Sequence, residues 1–230
     1  MDSLKKSINK TIKFTLDFIE SKFSAHIYEQ RALLLKSLNF YTLSIEKETS
    51  ICTYKINVCE DAAITWKICL NNEPSVYNTY FCNSCDQCTF MTSVLKVDPK
   101  IIINHGFKAL NRAVVFCKTL KKVKCRKENC FKLCTVTAYP NFHIFIALDV
   151  IDKNNKCIEC CLEDLPITLN LDMVDKYRLA GIIGSYHNYK VAYCLRSDNN
   201  WELYDGYSRS IEVVDESTTI QPLGAIYILE

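Results

Sequence analysis

The chain has 230 residues, enough for one sizeable domain or two small ones. Apolar residues make up 49% and charged residues 23%, near ordinary globular usage, and five Gly and five Pro leave little material for long flexible linkers. A formal net charge of +2 gives no bulk electrostatic case for nucleic acid, and no stretch reaches the ~18 uninterrupted apolar residues of a membrane span. Neither kind of partner is therefore expected. The opening MDSLKKSINKTIKF is basic but has no apolar run behind it, so no secretory signal is read and the expected compartment is the cytoplasm or nucleus.

Residues 1–45 read as helical. Leu4, Ile8, Ile12, Leu16 and Ile19 fall on one helical face with lysines between them. A second apolar run, Ala32-Leu-Leu-Leu35 with Leu38, follows a break at Phe23-Ser-Ala-His26. From residue 46 the composition turns strand-like. Thr53, Tyr54, Ile56 and Val58 are β-rich, and Ile64-Thr-Trp-Lys-Ile-Cys-Leu70 reads as a buried strand closed by a turn at Asn71-Asn-Glu-Pro74. Ile101-Ile-Ile103 reads as a short strand and Leu110 to Leu120 as one helix. From 135 onward strands dominate: Phe142 to Val150, Tyr177 to Gly184, Tyr189 to Leu195, Trp201 to Tyr204, Ile211 to Val214 and Ala225 to Leu229, with a turn at Asp198-Asn-Asn200. The pattern predicts an α+β chain, helices first and an antiparallel meander last.

Fourteen cysteines in a reducing compartment point to metal or buried thiols before disulfides, and a disulfide framework is the alternative for a secreted chain. Cys82-Asn-Ser-Cys85 is one Cys-x-x-Cys pair, and Cys125 and Cys130 form a second, wider pair. Two such knuckles supply the four soft ligands of a tetrahedral structural zinc. Lys121, Lys122, Lys124, Arg126 and Lys127 favour the thiolate form around the second. Cys88 and Cys134 are possible substitute ligands, and Cys157, Cys160 and Cys161 a third group; the other reading of these thiols is as small buried apolar residues.

Several later segments resemble the ubiquitin-specific proteases. Tyr139-Pro-Asn-Phe-His-Ile-Phe-Ile-Ala-Leu148 resembles that family's P-x-x-L-x-I-x-L strand, and Leu165-Pro-Ile-Thr-Leu-Asn-Leu171 the segment after it. Tyr177-Arg-Leu-Ala-Gly-Ile-Ile183 is similar to Y-x-L-x-G-V-I, Trp201-Glu-Leu-Tyr-Asp205 to W-Y-x-F-D-D, and Ala225-Ile-Tyr-Ile-Leu229 to the closing A-Y-x-L-F. The cysteine knuckles lie just upstream, where the family carries zinc-ribbon fingers. The likeness covers about residues 64–230, and Glu29-Gln-Arg-Ala-Leu-Leu-Leu35 faintly echoes the family's Q-Q-D-A-x-E-F-L helix.

The resemblance implies a papain-like fold, with residues 1–45 as a thumb-like helical segment and 46–230 as fingers and palm of one domain. It also implies a Cys–His–Asp thiol chemistry and ubiquitin or a ubiquitin-like modifier as partner. Residue by residue, that chemistry is incomplete. Asp205 matches the orienting acid. Tyr189 stands where G-H-Y-V-A-Y places the histidine, with His187 two residues before it, and a phenol is a poor base at neutral pH. The nucleophile box G-N-T-C-Y-x-N-S has no counterpart; Cys52 and Cys59 lie upstream in the right chain order, without a glycine-asparagine loop before either. The leading expectation is a catalytically inactive modifier-binding relative. The alternatives are an active deubiquitinating or deSUMOylating isopeptidase using His187, Asp205 and Cys52 or Cys59, and a zinc-ribbon interaction scaffold unrelated to ubiquitin.

Overall fold

The computed structural model describes residues 10–21, 24–38, 41–45, 52–56, 61–85, 87–172, 175–186 and 189–230. Leu4, Ile8, Val58, Cys59 and His187 lie outside the described residues. The chain divides into two compact units, Met1–Asn72 and Glu73–Glu230.

The first unit holds α1 (Lys10–Ser21), α2 (Ala25–Ser37), the antiparallel pair β1 (Tyr41–Ile45) and β2 (Cys52–Ile56), and α3 (Ala62–Cys69). The expected break between the first two helices matches a cap: the Ser24 hydroxyl accepts the Ile27 amide and starts α2. Two expectations fail here. Tyr41-Thr-Leu-Ser-Ile45 is a strand rather than the end of a helix: Tyr41, Leu43 and Ile45 alternate with the hydroxyl residues Thr42 and Ser44, a period of two, and the segment pairs with β2 in register Tyr41 to Ile56. Conversely, the apolar run from Ile64 is helical. Asp61 accepts from the Ala63 and Ile64 amides at 2.7 and 3.0 Å and nucleates α3, overriding β-branched composition. The Thr11 hydroxyl ties α1 to the end of α3 by donating to the Cys69 carbonyl at 2.7 Å.

The second unit is mainly two antiparallel sheets. The smaller has strand order β4-β3-β6-β5, from β3 (Val76–Phe81), β4 (Cys88–Thr92), β5 (Thr119–Lys124) and β6 (Leu133–Pro140). The larger runs β13-β12-β11-β10-β14-β7, from β7 (His143–Ala147), β10 (Lys176–Tyr186), β11 (Tyr189–Leu195), β12 (Trp201–Asp205), β13 (Ser210–Val214) and β14 (Thr219–Leu229). The short β8 (Cys160–Cys161) pairs with β14 and β9 (Thr168–Asn170) with β10. The expected meander is present from β10 to β13, but β14 then crosses back to lie between β10 and β7.

Two segments between the sheets differ from expectation. Ile101-Ile-Ile103 lies in the helix α4 (Pro99–His105), because the Asp98 carboxylate caps it and Pro99 occupies the first turn. Of the run from Leu110 to Leu120, only α5 (Leu110–Ala113) is helical, and the β-branched residues after it lead into β5.

The large sheet covers the main core, where Leu179, Ile182, Tyr193, Ala225 and Tyr227 pack with Leu110, Leu162 and Leu169. Its buried phenols are satisfied: Tyr177 donates to the Asn141 carbonyl and Tyr227 to the Pro166 carbonyl, each at 2.8 Å. A bulge between Leu179 and Gly181 shifts register against β14 and re-phases the buried positions of β10. Ser75 joins the two sheets: its hydroxyl accepts the Phe145 amide at 2.9 Å and donates to the Ser93 carbonyl at 2.6 Å. No described helix is long and apolar enough to cross a membrane.

Candidate functional site

The far end of the small sheet has little apolar material. Its buried cluster is Tyr80, Cys125, Cys134 and Val136, with Cys82, Cys85, Cys88, Phe90 and Cys130 against it. Cys82 and Cys85 come from the turn after β3, and Cys125 and Cys130 from the segment joining β5 to β6. Their four sulfurs lie within 4.8 Å of one another, an arrangement that can hold a metal ion. Cys82 Sγ and Cys130 Sγ are 3.8 Å apart, too far for a disulfide. That separation matches a tetrahedron edge of ~3.8 Å, given by metal–sulfur bonds of ~2.3 Å.

Thiols packed this closely share protons unequally. Cys130 is drawn down to about 7, chiefly by the Lys132 backbone amide, and Cys85 is pushed up to about 12, chiefly by its hydrogen bond with Cys130. The donor set fits a soft divalent cation, which relieves the repulsion between thiolates. Neither proposed substitute ligand belongs to the set: Cys134 donates to the Val123 carbonyl at 3.2 Å, and Cys88 only packs beside it. Among the described residues no other set of three or more His, Cys, Asp or Glu ligands is close enough to share an ion, so Cys157, Cys160 and Cys161 form no such group.

The second place of interest is the end of β11 and β12. Asp205 closes β12 and is buried. One carboxylate oxygen accepts the backbone amides of Tyr207 and Ser208 at 2.7 and 3.3 Å; the other accepts the Ser208 hydroxyl at 2.8 Å and the Tyr189 phenol at 3.2 Å. Burial raises its pKa, but these donors outweigh it and hold the carboxyl below its ordinary value. Tyr189 is affected in the opposite sense. Desolvation first, then its bond to the Asp205 carboxylate, raises its phenol above the ordinary tyrosine value. The Tyr189 ring meets Tyr186 edge-to-face at a centroid distance of 5.6 Å and the tilted ring of Tyr207 at 5.5 Å.

The structure thus brings Tyr189 onto Asp205, the two positions that the sequence singled out as base and orienting acid. Among the described residues, no histidine or cysteine touches that carboxylate. Cys52 lies in β2 of the first unit, while Cys59 and His187 are outside the described residues. Sequence reasoning missed Tyr207 and Ser208. The signal was present as Asp205-Gly-Tyr-Ser208, an Asp at the head of a turn, positioned to accept the amides two and three residues on.

No protein-family model matches the chain, and no curated protein matches it. Several solved structures do. A chain of the SAGA DUB module Ubp8/Sgf11/Sus1/Sgf73 bound to monoubiquitin is 13% identical over 67% of this chain and 40% of its own, with a TM-score of 0.38. A yeast SAGA DUB module chain is 15% identical over 74% of this chain and 45% of its own, with a TM-score of 0.37. The Saccharomyces cerevisiae PAN2 pseudoubiquitin-hydrolase-RNase module is 12% identical over 95% of this chain and 42% of its own, with a TM-score of 0.36. This chain spans less than half the length of each of these neighbours.

Proposed function

We propose that this chain is a degenerate relative of the ubiquitin-specific proteases, with a papain-like fold in which residues 1–45 form the thumb-like segment and 46–230 the fingers and palm. It binds ubiquitin or a ubiquitin-like modifier and does not cleave it. The observation that carries the reading is the Tyr189–Asp205 hydrogen bond. A thiol hydrolase needs a base that accepts the nucleophile's proton near neutral pH. Here the position that resembles the family's histidine holds a phenol with a raised pKa, and it donates its proton to the acid. Asp205 has all its donors without an imidazole. The likeness in strand order supports the partner: four thiols at the end of a four-stranded sheet, followed by a broad antiparallel sheet, correspond to the fingers and palm that grip ubiquitin in the family.

Zinc is the ion proposed for Cys82, Cys85, Cys125 and Cys130. A four-cysteine site is closed and structural, so the metal would join the turn after β3 to the segment between β5 and β6 and supply no chemistry. Metal content measured on the purified chain, followed by retention on immobilised ubiquitin and SUMO, tests both parts. One equivalent of zinc with retention on either modifier is expected. Zinc without retention on either would leave an interaction scaffold unrelated to modifiers and sink the partner assignment.

A further inference from the structure

Charge is distributed unevenly along this chain. Residues 121–132 carry six Lys and Arg against one Glu, a local +5 in a chain whose formal total is +2, so the remainder is net negative. All six (Lys121, Lys122, Lys124, Arg126, Lys127 and Lys132) are exposed. They follow β5, the edge strand of the small sheet, and the turn that leads into β6. Among the described residues, Lys121, Lys122, Lys124 and Lys132 have no ion-pair partner. A bulge with Lys122 at φ 60° interrupts the pairing of β5 between Leu120 and Val123 and re-aims this stretch.

Flat groups accompany the cations. The Arg126 guanidinium lies 5.4 Å over the Tyr80 ring and 5.0 Å over Phe90. Phe131, between Cys130 and Lys132, is 83% exposed.

We propose that this basic edge is a binding surface for single-stranded nucleic acid, independent of the modifier-binding reading. Cations set out along β5 and the segment after it suit a linear polyanion better than a compact acidic partner. The exposed Phe131 ring gives bases a stacking surface that neither an acidic peptide nor a phosphate headgroup needs, and the exposed Arg126 guanidinium, backed by Tyr80 and Phe90, offers a second plane. The lysines also favour the thiolates nearby, but a zinc with four thiolates carries about −2, which leaves the local charge positive.

The test is fluorescence anisotropy of the full metal-loaded chain with labelled twelve-residue oligo-U and oligo-dT across a salt series. Binding should weaken with salt at a log–log slope between about −2 and −3.5, for three to five phosphates at ~0.7 each. Reversing Lys121, Lys122 and Lys124 to Glu, compared with the parent chain at matched zinc occupancy, should weaken it at least tenfold. Phe131→Ala, at a position too exposed to disturb the fold, should weaken it about fivefold or more while leaving the salt slope intact. No binding at low salt, or binding indifferent to the charge reversal, would overturn the proposal. So would equal affinity for oligoglutamate or for phosphatidylserine vesicles, which would assign the surface to an acidic protein or a membrane.

Discussion

The two sheets of the second unit are held together in different ways. The large sheet packs long strands over a core in which Ile144, Phe145, Leu179, Ala225 and Tyr227 are sealed from solvent. The end of the small sheet has a four-residue buried cluster, half of it cysteine, and leaves Leu120, Phe131 and Leu133 exposed. Apolar burial scales with area, and a thin two-sided sheet has little area to give. A metal–thiolate cross-link is a short-range substitute for a core. Cores tolerate change at many positions if volume is kept, whereas a cross-link fails when one ligand is lost.

The largest expected effect separates these two regions. On the proposed zinc site, chelation or replacement of Cys125 by Ser should remove order at the end of the small sheet, since structural zinc contributes on the order of 10 kcal/mol to small domains. Hydrogen exchange should show lost protection at Tyr80, Phe81 and Cys134 while Leu179 and Tyr193 keep theirs. Simultaneous melting of both sheets would break the comparison.

Next in size is Phe145→Ala in the sealed core, expected to cost ~3–5 kcal/mol in denaturant unfolding with metal content unchanged. A smaller loss of ~1–3 kcal/mol is expected for Gly224→Ala, because a Cβ there would clash with the Phe145 ring. The double change Gly224→Ala with Phe145→Leu should recover part of that loss; failure to do so would place the strain elsewhere.

Smaller still is the pH dependence of Asp205. Its folded pKa lies below its unfolded value, so the stability it contributes is full above the unfolded pKa and is lost as pH falls through the folded one. Ser208→Ala removes one of its donors and should flatten the acid limb of stability against pH. An unchanged acid limb would show that the turn amides and Tyr189 alone set that pKa.

Legibility from sequence follows the same division. In the large sheet β11 alternates cleanly, so Tyr189 to Leu195 was readable by period, whereas Tyr177 to Gly184, re-phased by its bulge, and Trp201 to Tyr204 were readable by their β-rich composition. The four thiols were readable by spacing. The apolar runs at Ile64 and Ile101 misled because composition outweighed their caps, Asp61 and Asp98-Pro99, which were in plain sight. The return of β14 between β10 and β7 is a long-range pairing that no local pattern encodes. That Tyr189 reaches Asp205 depends on the register of two strands, Ala192 opposite Tyr204, which the motif comparison could place side by side but not bond.

On the proposed reading a phenol stands in place of the base, and the chain holds its modifier without reacting. Incubating the full metal-loaded chain with ubiquitin and SUMO vinyl sulfones, and reading intact mass, tests it directly. An unchanged mass is expected for a chain that is still retained on immobilised unmodified ubiquitin or SUMO. A covalent adduct mapping to Cys52, Cys59 or any other cysteine would contradict it.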